Sequence, residues 1–156
     1  MDHQIATLIL AGGRSSRMGQ DKAELKLGGR SVLENILETV LQVSGHVVVM
    51  RAPNQQPLSI RSHLIKKMKI GFDRVEGEGP LQGIADSLIH IPEEAERIFV
   101  LTCDLPFLST HWLHALNDSL TEEWDVVCTH AENVTNALLA IYRPQVLKNA
   151  PEFLLE

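Results

Sequence analysis

The stretch Ile5-Ala-Thr-Leu-Ile-Leu-Ala11 constrains the fold more than any other: it has the length of a strand, is apolar on both faces, and stops at Gly12-Gly13. A strand with two apolar faces has to be covered on both, the situation of a central strand in a parallel sheet. Further apolar runs alternate with segments of helical period, which predicts an α/β domain: a mostly parallel sheet with helices on both faces. An extended piece, Ala23–Leu27, leads through Gly28-Gly29 to Ser31, which with Glu34 three residues on forms a capping box. Val32, Leu33, Ile36, Leu37, Val40 and Leu41 recur at helical spacing, and Gly45 is expected to close that helix before a strand over His46–Met50.

Pro53–Lys67 carries only a weak helical pattern around Ile60–Ile65, and Lys69–Phe72 reads as a strand. A glycine- and carboxylate-rich loop follows, and Pro80 suits the first turn of a helix whose buried stripe is Leu81, Ile84, Ala85 and Leu88. Arg97–Thr102 predicts a second central strand, Ser109 or Thr110 a cap for a helix reaching about Leu120, with strands near Asp125–Thr129 and Ala137–Tyr142 and a helical tail after Pro144.

Composition excludes several classes of function. With 14 Lys and Arg against 20 Asp and Glu the net charge is −6, so no global positive field attracts nucleic acid or anionic lipid. The apolar runs fall far short of the roughly 20 residues needed to span a bilayer, and Met1-Asp2-His3 is no secretory n-region. The expectation is a cytoplasmic protein without membrane or nucleic-acid partners. Cys103 and Cys128 lack metal or disulfide spacing and read as reduced core thiols. His111 and His114, three apart on a helix without an evident third ligand, read as surface residues. Trp112 and Trp124 are expected to pack the periphery.

Ligands of parallel α/β sheets collect outside the carboxyl ends of the strands. Three loops fall there: Gly12–Lys22, Asp73–Gly83 and Cys103–Leu108. The first combines glycines with Arg14, Arg17, Lys22 and two serines, a set suited to a polyphosphate. An ordinary glycine turn would not explain three cations beside a buried strand in an acidic chain. Walker A spacing is absent, since Lys22 lies three residues beyond Gly19, and so is the dinucleotide-binding G-x-G-x-x-G.

This loop resembles the L-A-G-G-x-S-x-R-M-G-x-D-K signature of the molybdenum cofactor guanylyltransferase family, matched at Leu10, Ala11, Gly12, Gly13, Ser15, Arg17, Met18, Gly19, Asp21 and Lys22. The resemblance extends through Asp73, Gly79-Pro80-Leu81, Gly83 and Cys103-Asp104-Leu105-Pro106, and it implies a Rossmann-like nucleotidyltransferase fold. It implies that the terminal phosphate of molybdopterin attacks the α-phosphate of GTP and that pyrophosphate leaves, with molybdenum cofactor delivery proteins as partners. Cytidylyltransferases of the same cofactor typically carry Ala-Gly at this point of the loop, so Gly12-Gly13 implies guanine.

The resemblance carries over Arg17, Lys22 and Asp104 as catalytic residues, with Asp104 as the Mg2+ ligand. Leu10, Ala11, Gly12, Gly13, Lys22, Asp73, Gly79, Pro80, Leu81 and Asp104 become the nucleotide-binding set. Read alone, the Asp104-Leu-Pro sequence would be a turn or helix cap. Val134-Thr135-Asn136 departs from the His-Pro or Gln-Pro step usual in the family, and the family continues past the point matching Glu156 with an Asn-x-Asn-Thr-Pro segment. The expectation is therefore a single nucleotidyltransferase domain over 1–156 that lacks the C-terminal part of the family domain. Two alternatives stand beside this reading: a related nucleotidyltransferase for another phosphorylated acceptor, and a noncatalytic GTP-binding module.

Overall fold

The computed structural model describes residues 2–12, 21–75 and 77–152. The first strand, β1 (Asp2–Leu10), runs parallel to two neighbours, β4 (Ser44–Arg51) and β6 (Arg97–Thr102), and so is interior as its two apolar faces demand. The fourth parallel strand, β5 (Lys69–Phe72), forms the edge beyond β4. On the other side β8 (Val134–Tyr142) pairs antiparallel with β6, and β7 (Val126–Ala131) antiparallel with β8. The six-stranded order is β5-β4-β1-β6-β8-β7.

Helices cover both faces. On one, Ile9, Val49, Phe99 and Ile141 meet α1 (Val32–Val40) and α4 (Thr110–Ser119). On the other, Leu8, Val48, Met50 and Val100 meet α3 (Pro80–Ser87) and α5 (Pro144–Lys148). The predicted stripe of α3 holds: Ile84 and Ala85 are buried, and Leu81 and Leu88 pack at the margin of this second core. The short helix α2 (Ser62–Ile65) falls within the weak pattern read around 60–65.

The structure corrects several local readings. The capping box forms as expected, Ser31 accepting from the Glu34 amide and Glu34 from the Ser31 amide, both at 3.1 Å. Gly45 does not close α1, however. The helix ends at Val40 through tightened bonds such as Val43 N–H to Val40 O at 3.0 Å, and Gly45 already lies inside β4. The extended piece over 23–27 is instead a 3₁₀ turn (Lys22–Glu24) followed by a small hairpin, β2 (Lys26–Leu27) and β3 (Arg30–Ser31), around the left-handed Gly28 and Gly29. The last two strands are one long hairpin, because Glu132 and Asn133 both take positive φ and make a two-residue turn. Trp112 and Trp124 are more than half exposed, so they pack less than expected. His111 and His114 lie on the surface, and both cysteines are free, Cys103 buried and Cys128 half-buried.

Candidate functional site

A cavity of about 550 Å³ opens at the carboxyl end of the parallel strands, where the topology delivers the ends of β1, β4, β5 and β6 together. Its floor is the end of β1: Leu10 and Gly12 line it, while Ala11 is buried beneath, its amide donating to Met50 O at 2.8 Å. Gly12 is required by space. A Cβ there would lie 2.7 Å from Asp73 Oδ2 and 3.0 Å from the Ala52 amide nitrogen, so the strand end can approach a ligand only as bare backbone.

One wall is made by Asp73 and the start of α3. Gly79 has φ +86° and N-caps that helix, a left-handed position that glycine tolerates, and Pro80 follows in the first turn. Both line the cavity, whereas Leu81 packs against the second core. Asp73 receives no hydrogen bond on Oδ1 from the described residues, although that oxygen is buried. Burial and the nearby Asp86 charge push its carboxyl above the ordinary value.

Asp86 behaves in the opposite way. Its side chain is 2% exposed, yet it accepts from the Arg74 amide at 2.7 Å, from the Arg74 guanidinium and from Gln82 Nε2 at 2.8 Å. Burial works against its charge, and those donors together hold its pKa below the usual carboxylate value.

The mouth is made by Lys22 and Asp104. Lys22 opens a 3₁₀ turn capped by Asp21, whose Oδ1 accepts from the Ala23 amide at 3.0 Å. Its Nζ lies 3.9 Å from Asp104 Oδ2, and the two side chains are 48% and 55% exposed, a loose pair that adds little to stability. Asp104 also accepts from Thr102 Oγ1. It does not cap α4, since the N-cap position is Ser109. Beside it, burial and the charges of Asp104 and Asp21 push the Cys103 thiol up to about 11, which keeps it protonated and poorly nucleophilic at neutral pH.

The structure therefore brings together Leu10, Gly12, Lys22, Asp73, Gly79, Pro80 and Asp104. Gly13 and Arg17 lie outside the described residues. The sequence matches the MobA-like NTP transferase domain over residues 7–156. The chain belongs to that family. As a member of it, the protein is a nucleotidyltransferase acting in molybdenum cofactor biosynthesis.

Among relatives, a probable molybdenum cofactor guanylyltransferase of Geobacillus sp. is 30% identical over 153 residues, which is 97% of this chain and 76% of that protein. One from Flavobacterium johnsoniae is 31% identical over 143 residues, 92% of this chain and 70% of that protein. The crystal structure of molybdopterin-guanine dinucleotide biosynthesis protein A from Archaeoglobus fulgidus shares the fold, with a TM-score of 0.72 at 21% identity, over 96% of this chain and 73% of that one.

Sequence reasoning did not single out three residues that stand behind this cavity. Gln82 and Asp86 stand four apart on α3 and so share one face; that spacing between two polar residues was a signal. The third is Arg51, which closes the apolar strand Val47-Val-Val-Met50. Its side chain is 2% exposed and pairs with Asp21 at 2.9 Å.

Proposed function

We propose that this chain transfers GMP from Mg2+-GTP to the terminal phosphate of molybdenum-molybdopterin and releases pyrophosphate. The observation that carries this reading is the division of one cavity into a charged, open mouth at Lys22 and Asp104 and a wall at Asp73, Gly79, Pro80 and Gly83 that holds the buried Asp73 Oδ1. A nucleoside triphosphate has the matching parts.

In this reading an oxygen of the acceptor phosphate attacks the α-phosphorus, the bond to the bridging oxygen breaks, and its electron pair leaves with pyrophosphate. No protein nucleophile takes part; positioning and charge carry the catalysis. Lys22 neutralises the triphosphate, and Arg17 is assigned to the transferred phosphate. Leu10, Ala11 and Gly12 form the floor under the nucleotide, Gly13 is assigned to nucleotide binding with them, and Gly79, Pro80 and Leu81 make the turn that reads the base. Asp73, whose buried Oδ1 has no donor among the described residues, accepts a hydrogen bond from the nucleoside.

The donor set suits the metal. Mg2+ characteristically takes one or two carboxylates plus phosphate oxygens and water, and the Asp104 carboxylate stands half-exposed at the open mouth of the cavity. Asp104 is the carboxylate that would hold it, and the ion would supply charge neutralisation at the phosphates. Among the described residues no helix is long and apolar enough to cross a membrane. The acceptor approaches from the β8 side, where residues 134–137 are exposed next to Leu138 of the cavity.

The test is thermal stabilisation by Mg2+-GTP, CTP, ATP and UTP, since a ligand of the native state raises its melting temperature. GTP should stabilise most. Equal shifts from all four would remove the guanine assignment, and GTP binding without pyrophosphate release in the presence of molybdopterin would indicate a binding module.

A further inference from the structure

Arg51 stands at the junction of the two parts of the site. Its carbonyl oxygen accepts the amide N–H of Asp73 at 2.9 Å, so its backbone fixes the start of the Asp73 wall. Its side chain runs the other way. Nη2 donates to Asp21 Oδ2 at 2.9 Å and to Gln56 O at 2.8 Å, while Nη1 is buried without a partner among the described residues. A guanidinium that is 2% exposed is an expensive way to fill a core.

What this arrangement controls is the carboxylate of Asp21. That group caps the turn beginning at Lys22 through the Ala23 amide at 3.0 Å, and Gln55 Nε2 stands 3.5 Å from its other oxygen. Gln55 is itself tied to the β4 end, its Oε1 accepting from the Ala52 amide at 2.9 Å. The turn bearing Lys22 is thus anchored to β4 from the side, by an ion pair whose buried half is Arg51. Lys22 itself is about half exposed, and its pair with Asp104 is 3.9 Å long.

We propose that Arg51 is a positioning residue for the triphosphate end of the nucleotide site: through Asp21 it fixes the turn that aims Lys22 at the phosphates. It does not touch the nucleotide. The inference rests on the reading of Lys22 as the triphosphate contact, and it separates the roles of Arg51 by chemistry. The side chain serves the phosphates, and the backbone serves the Asp73 wall, which a substitution at residue 51 leaves in place.

The experiment is calorimetric binding of Mg2+-GTP and of GMP to wild type, Arg51→Met, Arg51→Lys, Asp21→Asn and the double variant Arg51→Met/Asp21→Asn. Arg51→Met and Asp21→Asn should each weaken Mg2+-GTP about tenfold or more while changing GMP less than about twofold. The double variant should be no worse than either single one, because both remove the same link. Arg51→Lys should recover part of the loss. Asp21 is the more exposed partner, so Asp21→Asn reports even if Arg51→Met fails to fold. Equal losses for GTP and GMP, or wild-type GTP affinity in Asp21→Asn, would overturn the proposal and leave Arg51 a packing residue. A wild-type protein that binds no nucleoside triphosphate would overturn the reading of the site, and this proposal with it. A wild type preferring another base leaves the comparison intact, run with that base's tri- and monophosphate.

Discussion

The two ends of one cavity treat charge in opposite ways. At the mouth, Lys22 and Asp104 are about half exposed, paired loosely at 3.9 Å, and touch the fold through a short turn and a loop. Behind the wall, Asp86 is 2% exposed and held by Arg74 and Gln82, and its charge bears on the half-buried Asp73, whose Oδ1 is buried without a partner among the described residues. Exposed charges cost the fold little to keep and are free to exchange partners for a ligand. Buried ones are part of the structure, and removing a donor or acceptor there leaves another group unpaired. The mouth should therefore fail in catalysis while the fold survives, and the wall should respond in stability as well as in binding.

The largest expected effect breaks the mouth. Asp104→Ala should lower pyrophosphate release by roughly a thousandfold, the scale of losing a group that stabilises transition-state charge, while its melting temperature stays within ~2 °C of wild type. Lys22→Ala should weaken Mg2+-GTP binding by about tenfold to a hundredfold, measured by calorimetry, and the deficit should shrink as salt rises because this cation is exposed.

At the wall the same experiments should read differently. Asp86→Ala should cost about 1–3 kcal/mol in chemical denaturation, since Arg74 and Gln82 lose their acceptor. The pH dependence has a definite sign. The folded pKa of Asp86 lies below its ordinary 3.8, so its contribution is complete above that value and is lost as pH falls through the folded pKa. Asp73 runs the other way. Its folded pKa lies above 3.8, so the ionised group costs stability above the folded pKa, and that cost is relieved as pH falls toward 3.8. Asp73→Asn, the smallest effect, should raise the melting temperature by roughly 2 °C at pH 7 while weakening nucleotide binding. The gain over wild type should vanish near pH 4.

Much of this was legible in the chain, and the limits have physical causes. The double-faced apolarity of β1 and β6 announces interior parallel strands, and Ser31 with Glu34 announces the start of α1, because burial and capping are local rules. Gly45 misled because glycine also fits within a strand, and only the hydrogen bonds that end α1 earlier decide between the two. The β7–β8 hairpin was unreadable as such because Glu132-Asn133 is not a strong turn pair; both residues are carried into positive φ by the strands they join. Lys22, Asp73 and Asp104 were singled out by family resemblance, each in a loop near a strand end, and the structure places all three on one cavity. Arg51 and Asp86 were not, because their meaning depends on partners 30 and 12 residues away.

The central claim is tested most directly by pyrophosphate release from Mg2+-GTP, with and without molybdenum-molybdopterin, by wild type and Asp104→Ala, beside Mg2+-CTP as the donor control. The account predicts release that requires the acceptor, prefers GTP at least tenfold, and falls roughly a thousandfold in the variant. Release by Asp104→Ala at the wild-type rate, or equal release from CTP, would contradict it.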